Sequence, residues 1–389
     1  MEKKLQLDID FLNENDAYHT ANEIQQQPNM WLKTQQIIES QKEEFLHFIR
    51  PLITKNNIRI ILTGAGTSAF IGNTVVGTVQ KKFGCQTCSI PTTDFITHPE
   101  LYISDKVTTL LISFARSGNS PESIKAVQLA DQLSENVHHL IITCNEEGAL
   151  AREASKKNYV LLLPKETNDV SLAMTSSFSS MLLSILILGD LINGEDFSQK
   201  VSITAEYVNV ILNEYVPLIK EIADIDFNRA IFLGSGPMRG IAQEGHLKLQ
   251  ELTDGNVICK FDSFLGFRHG PRAVINDKSI IIYMFSNQEY INKYEIDLVN
   301  SIENSKNGIL RLGLMETDIQ GICLNKKIIY SDRHKLEDAY LSLCHVIPAQ
   351  MLGFYKSLQL GFKPDNPSES GTISRVVQGV NLYPYKQVK

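Results

Sequence analysis

A helix-forming stretch, EGHLKLQEL at residues 244–252, carries three charged side chains that can share one face. At about 100° per residue, Glu244, Lys248 and Glu251 fall within an arc of about 60°. The plainer reading is an i,i+4 ion pair on a solvated face. This helix, however, opens right after a GSG turn, where a carboxylate can serve as a general base. His246 points the other way and reads as structural. Shortly afterwards FRHGPR, residues 267–272, sets His269 in a Gly-Pro loop. Histidine moves protons near neutral pH, so a carboxylate and a histidine suit acid–base chemistry on a bound substrate.

A second set of residues suits an anion. In SFARSGNSPES, residues 113–123, Ser117 and Ser120 flank Gly118 and Asn119, and Pro121 fits a first helical position. Ser120 is then a natural N-cap. The N–H groups and dipole of a helix start favour an anion, and serine hydroxyls add hydrogen bonds to phosphate oxygens. Thr67 and Ser68 in GAGTSA, residues 64–69, can add two more from an adjacent strand. Arg116 either adds charge or is ordinary surface. GAGTSA also fits a dinucleotide-binding turn, but the acid expected about twenty residues on is out of place, because Asp94 comes too late. A phosphate monoester is the better fit.

Alternating strands and helices must position these residues. NNIRIILTG, CQTCSIP, VTTLLISFA and HHLIITCN read as strands, and GTSAFIGNTVVGTVQKKFG and PESIKAVQLADQL read as helices. Near residue 228 the layout restarts: NRAIFLGSGPMRGIAQEGHLKLQEL matches NIRIILTGAGTSAFIGNTVVGTV in strand, glycine-rich turn and helix. SIIIYMFSN, GILRL and KIIYS supply further strands. Two copies of one α/β unit follow, with parallel sheets covered by helices on both faces. The expected division is an N-terminal helical arm over 1–50, one α/β unit over 51–200, a second over 201–360 and a tail over 361–389. The arm shows Trp31, Ile38, Phe45 and Ile49 at near-helical spacing and is expected to pack on a neighbour. Helices near 175–193 and 200–222 join the copies, and SRVVQGVNLYP in the tail is strand-like.

Composition narrows the function class. The 389 residues carry a net charge of -7 and show no basic stripe, which argues against nucleic acid as a partner. MLLSILILGDLI, residues 181–192, is too short to span a bilayer and is broken by Asp190. The N-terminus lacks the apolar core of a signal peptide, so a soluble cytoplasmic protein without membrane partners is expected. Cys85 and Cys88 form one CxxC without a second ligand pair, and strand alternation puts their thiols on opposite faces. Zinc and redox chemistry are therefore not expected there.

GTS, RSGNS, the EGxxKxxE helix and the HGP loop together resemble the sugar isomerase (SIS) domain family. EIQQQPNMW, ITCNEEGAL, AMTSSFSS and SGTISRVVQGV are similar to its AgaS branch, which isomerises tagatose 6-phosphate or deaminates galactosamine 6-phosphate. The resemblance covers nearly the whole chain. It implies two tandem flavodoxin-like SIS domains and a phosphate held by Ser117, Asn119 and Ser120, with Arg116 beside them. Ala115 stands where the family usually has a first serine. Thr67 and Ser68, with Thr175 and Ser176 of AMTSS, fall at the sugar. Glu251 matches the carboxylate that shuttles a proton between C1 and C2, and Glu244 and Lys248 match supporting polar groups. His269 matches a ring-opening histidine supplied by a partner subunit, which implies a homodimer or larger homo-oligomer. Arg375 falls near a family lysine that lies over the sugar, and an arginine cannot act as a neutral amine there. The implied reaction is deamination of galactosamine 6-phosphate to tagatose 6-phosphate, needing no metal or redox cofactor. Glucosamine 6-phosphate as substrate and plain aldose–ketose isomerisation are the alternatives. A non-catalytic sugar-phosphate sensor is a further one, opposed by the presence of both Glu251 and His269.

Overall fold

The computed structural model describes residues 2–152, 157–303, 308–377 and 379–385. The chain forms two compact units, each built on a five-stranded parallel sheet. One unit comprises Lys33–Asn168, Ser177–Phe197 and Ile373–Lys389. Its strands are β1 (Ile58–Thr63), β2 (Gln86–Ser89), β3 (Thr108–Ala115), β4 (Val137–Thr143) and β5 (Asn158–Leu162), in spatial order β2-β1-β3-β4-β5. The other unit comprises Met1–Leu32, Asp169–Ser176 and Ser198–Thr372. Its strands are β6 (Arg229–Gly234), β7 (Ile258–Asp262), β8 (Ser279–Met284), β9 (Leu310–Met315) and β10 (Lys326–Ile329), in the matching order β7-β6-β8-β9-β10. Both orders are flavodoxin-like, so the repeat read in the sequence is a repeat of topology.

The strands form where apolar runs can be buried on two faces. In β3 every residue after Thr108 is buried, and in β8 all six are. The helices that follow are α1 (Thr67–Phe83), α2 (Pro121–Leu133), α3 (Ser176–Asn193), α4 (Pro237–Leu252), α5 (Glu289–Glu303) and α6 (Asp338–Gln359). Equivalent helices close equivalent cores. Ala126, Val127 and Ala130 of α2 pack on Ile61, Leu111 and Ile141, while Leu298, Val299 and Ile302 of α5 pack on Ile231, Ile281 and Tyr283. Helix α3 is long and apolar enough to cross a membrane, but 89% of that stretch is buried inside the protein.

The glycine turns are duplicated too. A Cβ on Gly64 would come 2.6 Å from Ser68, and one on Gly234 would come 2.3 Å from the Met238 carbonyl oxygen. Gly66 (φ 53°, ψ -127°) and Gly236 (φ 56°, ψ -126°) share a conformation that side chains resist. These glycines let α1 and α4 start directly above their sheets.

Trp31, Ile38, Phe45 and Ile49 of the arm are all buried. One expectation needs correction. The strand-like SRVVQGVNLYP forms no strand among the described residues of the tail. The chain turns at Gly379 (φ 75°), and side-chain anchors replace ladder bonds: Arg116 Nη2 donates to the Arg375 carbonyl at 2.5 Å, and Tyr385 donates to Glu100 at 2.6 Å. The thiol of Cys85 bonds to the carbonyls of Phe83 and Ile53 and that of Cys88 to Ile60; burial pushes both thiols up.

Candidate active site

In each sheet the strand order reverses at one point, between β1 and β3 and between β6 and β8. The crevice at the carboxyl ends of such strands is where ligands bind in open α/β sheets. Thr67, Ser68 and the turn from Arg116 to Ser120 lie at the first of these edges; α4 starts at the second, and its charged face runs on to its last turn.

At the first sheet, the turn after β1 places Thr67 and Ser68 in the opening turn of α1, both buried. The turn after β3 carries Arg116, Ser117, Gly118, Asn119 and Ser120 into α2. Gly118 takes φ 64°, a left-handed conformation that favours glycine. Ser117 Oγ accepts the Asn119 N–H at 3.2 Å, which leaves its own O–H to donate. Ser120 occupies the N-cap position and Pro121 the first helical one, as read from the sequence. The Ser120 hydroxyl, however, makes no capping bond, so the expected side-chain cap is not formed. A helix start with uncapped N–H groups is suited to an anion. Arg116 is buried and, through its bond to the Arg375 carbonyl, holds the tail. The Arg375 guanidinium in turn donates to Asn168 Oδ1 at 3.0 Å.

The loop after β4 pins this turn, and sequence reasoning assigned it no role. Asn145 Nδ2 donates to the Ser117 carbonyl at 2.8 Å, and the Ala149 N–H to Asn119 Oδ1 at 2.9 Å. Gly148 lies so close that an added Cβ would stand 2.6 Å from the Ser117 carbonyl oxygen. The signal was present in the ITCNEEGAL motif, but its partner lies 28 residues earlier.

At the second sheet, α4 presents the charged face. Lys248 is fully buried, 3.4 Å from the Glu244 carboxylate and hydrogen-bonded to Glu251. Burial alone would push its ammonium pKa down, but the two carboxylates outweigh that and hold it above the ordinary value. Glu244 is completely buried, whereas Glu251 keeps 15% of its side chain exposed. Glu251 is thus the carboxylate of the three-residue face that a ligand can reach. His246 packs against Phe261, with ring centroids 4.9 Å apart and the planes tilted by 37°. His269 stands exposed between Phe264–Phe267 and Pro271–Val274, and Arg272 ties this loop to the Ser301 carbonyl at 2.9 Å. The structure does not bring His269 into hydrogen-bond contact with Glu251.

Thr175 and Ser176 are buried in the same unit. The Thr175 N–H donates to Asp169 at 2.8 Å, and Ser176 Oγ donates to the Glu23 carbonyl at 2.6 Å. Glu23 belongs to the EIQQQPNMW motif of the arm. Its carboxylate accepts the N–H groups of Val170 and Ser171 and so clamps the 169–176 loop. Burial first, then the nearby Asp169, raise the Glu23 carboxyl to about 8.

Residues 52–189 match the SIS domain family. Over 99% of its length the chain is 39% identical to D-galactosamine-6-phosphate deaminase AgaS of Shewanella sp. (strain ANA-3), covering 96% of that protein. It is 37% identical to the deaminase of the same name from Escherichia coli over 94% of this chain and 96% of that one. The crystal structure of tagatose-6-phosphate ketose/aldose isomerase from Escherichia coli superposes with a TM-score of 0.88 at 34% identity, covering 95% of this chain and 97% of that one. A Clostridium novyi NT crystal structure reaches 0.95 at 40% identity, covering 99% of this chain and all of that one. This chain belongs to the SIS domain proteins, in their AgaS family.

Proposed function

We propose that the protein is a deaminating isomerase that converts galactosamine 6-phosphate and water into tagatose 6-phosphate and ammonia. The observation that carries this is the accessible carboxylate of Glu251, held by buried Lys248 in the last turn of α4. Near-full-length similarity to galactosamine-6-phosphate deaminases supplies the substrate. In this reading the turn from Ser117 to Ser120, with Thr67 and Ser68, takes the phosphate. Ring opening exposes the C1 aldehyde. Glu251 removes the C2 proton and returns it to C1, passing through an enolamine. The resulting C2 imine adds water and releases ammonia. Lys248 holds Glu251 in place and balances its charge. Arg375, tied to the first unit, is the residue we assign to closing the site or neutralising charge.

The same proton shuttle serves plain aldose–ketose isomerisation, which the name of the Escherichia coli structure favours. A panel of galactosamine, glucosamine and tagatose 6-phosphates, read for ammonia and for ketose, separates these readings. Ammonia released faster from galactosamine 6-phosphate than from its gluco epimer supports the proposal. Isomerisation without ammonia from either amino sugar contradicts it. We place the reaction in the cytoplasm, since a phosphate dianion does not cross a bilayer unaided. We further propose a homo-oligomer in which His269 serves a neighbour's site; its exposure and lack of contact with Glu251 support this.

A further inference from the structure

The two sheets carry the same turn at the same place, but the second turn is occupied. Ser117 lies two residues beyond the end of β3, and its Oγ accepts the N–H two residues on, from Asn119, at 3.2 Å. Ser286 lies two residues beyond the end of β8, and its Oγ accepts the N–H two residues on, from Gln288, at 3.0 Å. Each turn stands at its sheet's reversal point and leads into the next helix, α2 or α5. A serine hydroxyl that accepts from its own turn still has a proton to give. Ser286 gives that proton to Asp338 Oδ2 at 2.6 Å. The same carboxylate accepts the Asn287 N–H at 2.8 Å and Gln288 Nε2 at 3.0 Å. A hydroxyl, a backbone N–H and a side-chain amide thus converge on one buried anion, a donor set that equally suits a phosphate oxygen. Asp338 is the first residue of α6, the helix that follows the fifth strand. Its counterpart after the first sheet, α3, begins at Ser176 and has no acid in its first turn.

We infer that the second sheet retains the anion cradle of the first but fills it permanently with the Asp338 carboxylate, so that each chain takes one phosphate ester only. The claim about the first sheet rests on the phosphate reading above; the claim about Asp338 does not. A fixed carboxylate excludes an incoming dianion both by volume and by like charge. The two copies can then divide their labour, with the first holding phosphate and the second carrying the proton-transfer helix.

Replacing Asp338 by alanine frees the Ser286 hydroxyl, the Asn287 N–H and the Gln288 amide, while Glu295 keeps the Ser286 N–H at 3.1 Å. The melting temperature is measured in formate, inorganic phosphate and chloride at matched ionic strength, in a Ser117→Ala background that weakens the first site. Loss of several charge-assisted bonds should lower Tm by about 5 °C or more. Formate and phosphate should restore at least about half of that, by binding only the folded protein. Chloride should not, and the parent that keeps Asp338 should show only the smaller general salt effect of formate and phosphate. An equal response to all three salts, or from both proteins, would overturn the assignment. If the alanine variant does not fold, equilibrium dialysis with labelled inorganic phosphate decides. One phosphate per chain that Ser117→Ala binds about tenfold or more weakly agrees with the inference. Two per chain, or one bound with unchanged affinity by Ser117→Ala, overturns it. No binding to either protein agrees with a filled second cradle and removes the phosphate reading of the first.

Discussion

Individual side chains at this site owe their chemistry to what surrounds them. Lys248, without exposure, is stable as an ammonium only because Glu244 and Glu251 flank it, and Glu251 is held in one orientation by the same contact. Ser117 shows the complementary arrangement, a hydroxyl satisfied as acceptor and left with a proton to donate. In the proposed reading that proton meets the phosphate. Ser117→Ala should then raise KM for the sugar phosphate about tenfold or more, since a bond to a charged group contributes roughly 1.5–3 kcal/mol. An unchanged KM in steady-state kinetics would remove the turn from the site. Glu295 makes a separate prediction about stability. Burial raises its carboxyl pKa from 4.5 to about 8; Asp338 adds to the shift, and the Ser286 N–H and the Ser235 hydroxyl oppose it. A carboxyl raised on folding stabilises the protein while protonated. Its contribution is whole below its ordinary value and is lost as pH rises through about 8. Glu295→Gln cannot ionise, so its Tm should fall less than that of the wild type between about pH 5 and pH 8.5. Equal slopes would show that Glu295 does not set this dependence.

Strands and helices were legible wherever burial imposes a period. The buried runs of β3 and β8 allow little but central parallel strands, and PESIKAVQLADQL coincides with α2 from end to end. Legibility failed where a partner is distant in the chain. Glu23 lies in the stretch read only as a helical arm, yet it clamps a loop 148 residues away. The tail alternates like a strand, but it is held by Arg116 and Glu100 through single side-chain bonds rather than by a ladder. Thr67, Ser68 and the turn from Ser117 to Ser120 could be read because glycine turns between strand and helix are local signals. The support from Asn145 and Gly148 could not, because it depends on β3 and β4 being neighbours. That support is testable at the level of the element. Asn145→Ala frees the Ser117 carbonyl, and Gly148→Ala drives a Cβ into it. Both should raise KM with kcat nearly unchanged, Gly148→Ala by more. A fall in kcat alone would place this loop in the chemistry instead of in phosphate binding.

For the whole molecule, duplication gives two similar sheets followed by unlike turns and helices, and the proposed reading gives phosphate binding to the first copy and proton transfer to a helix of the second. If His269 serves a neighbouring subunit, Glu251→Gln and His269→Asn proteins, each inactive alone, should regain part of the activity when co-assembled. Verified mixed oligomers that stay inactive would mean that each site is completed within one chain. The central claim is that Glu251 carries the C2 proton of an amino sugar phosphate, and hydrogen exchange reads that step directly. Galactosamine 6-phosphate is incubated in deuterium oxide with wild-type protein and with Glu251→Gln, and deuterium at C2 of recovered substrate is followed by NMR alongside ammonia release. The wild type should exchange C2 and release ammonia. Glu251→Gln should fold and bind the sugar phosphate, yet lose both signals by about 10²–10⁴-fold, the usual contribution of a general base. Exchange at the wild-type rate in Glu251→Gln, or no ammonia from the wild type, would contradict the account.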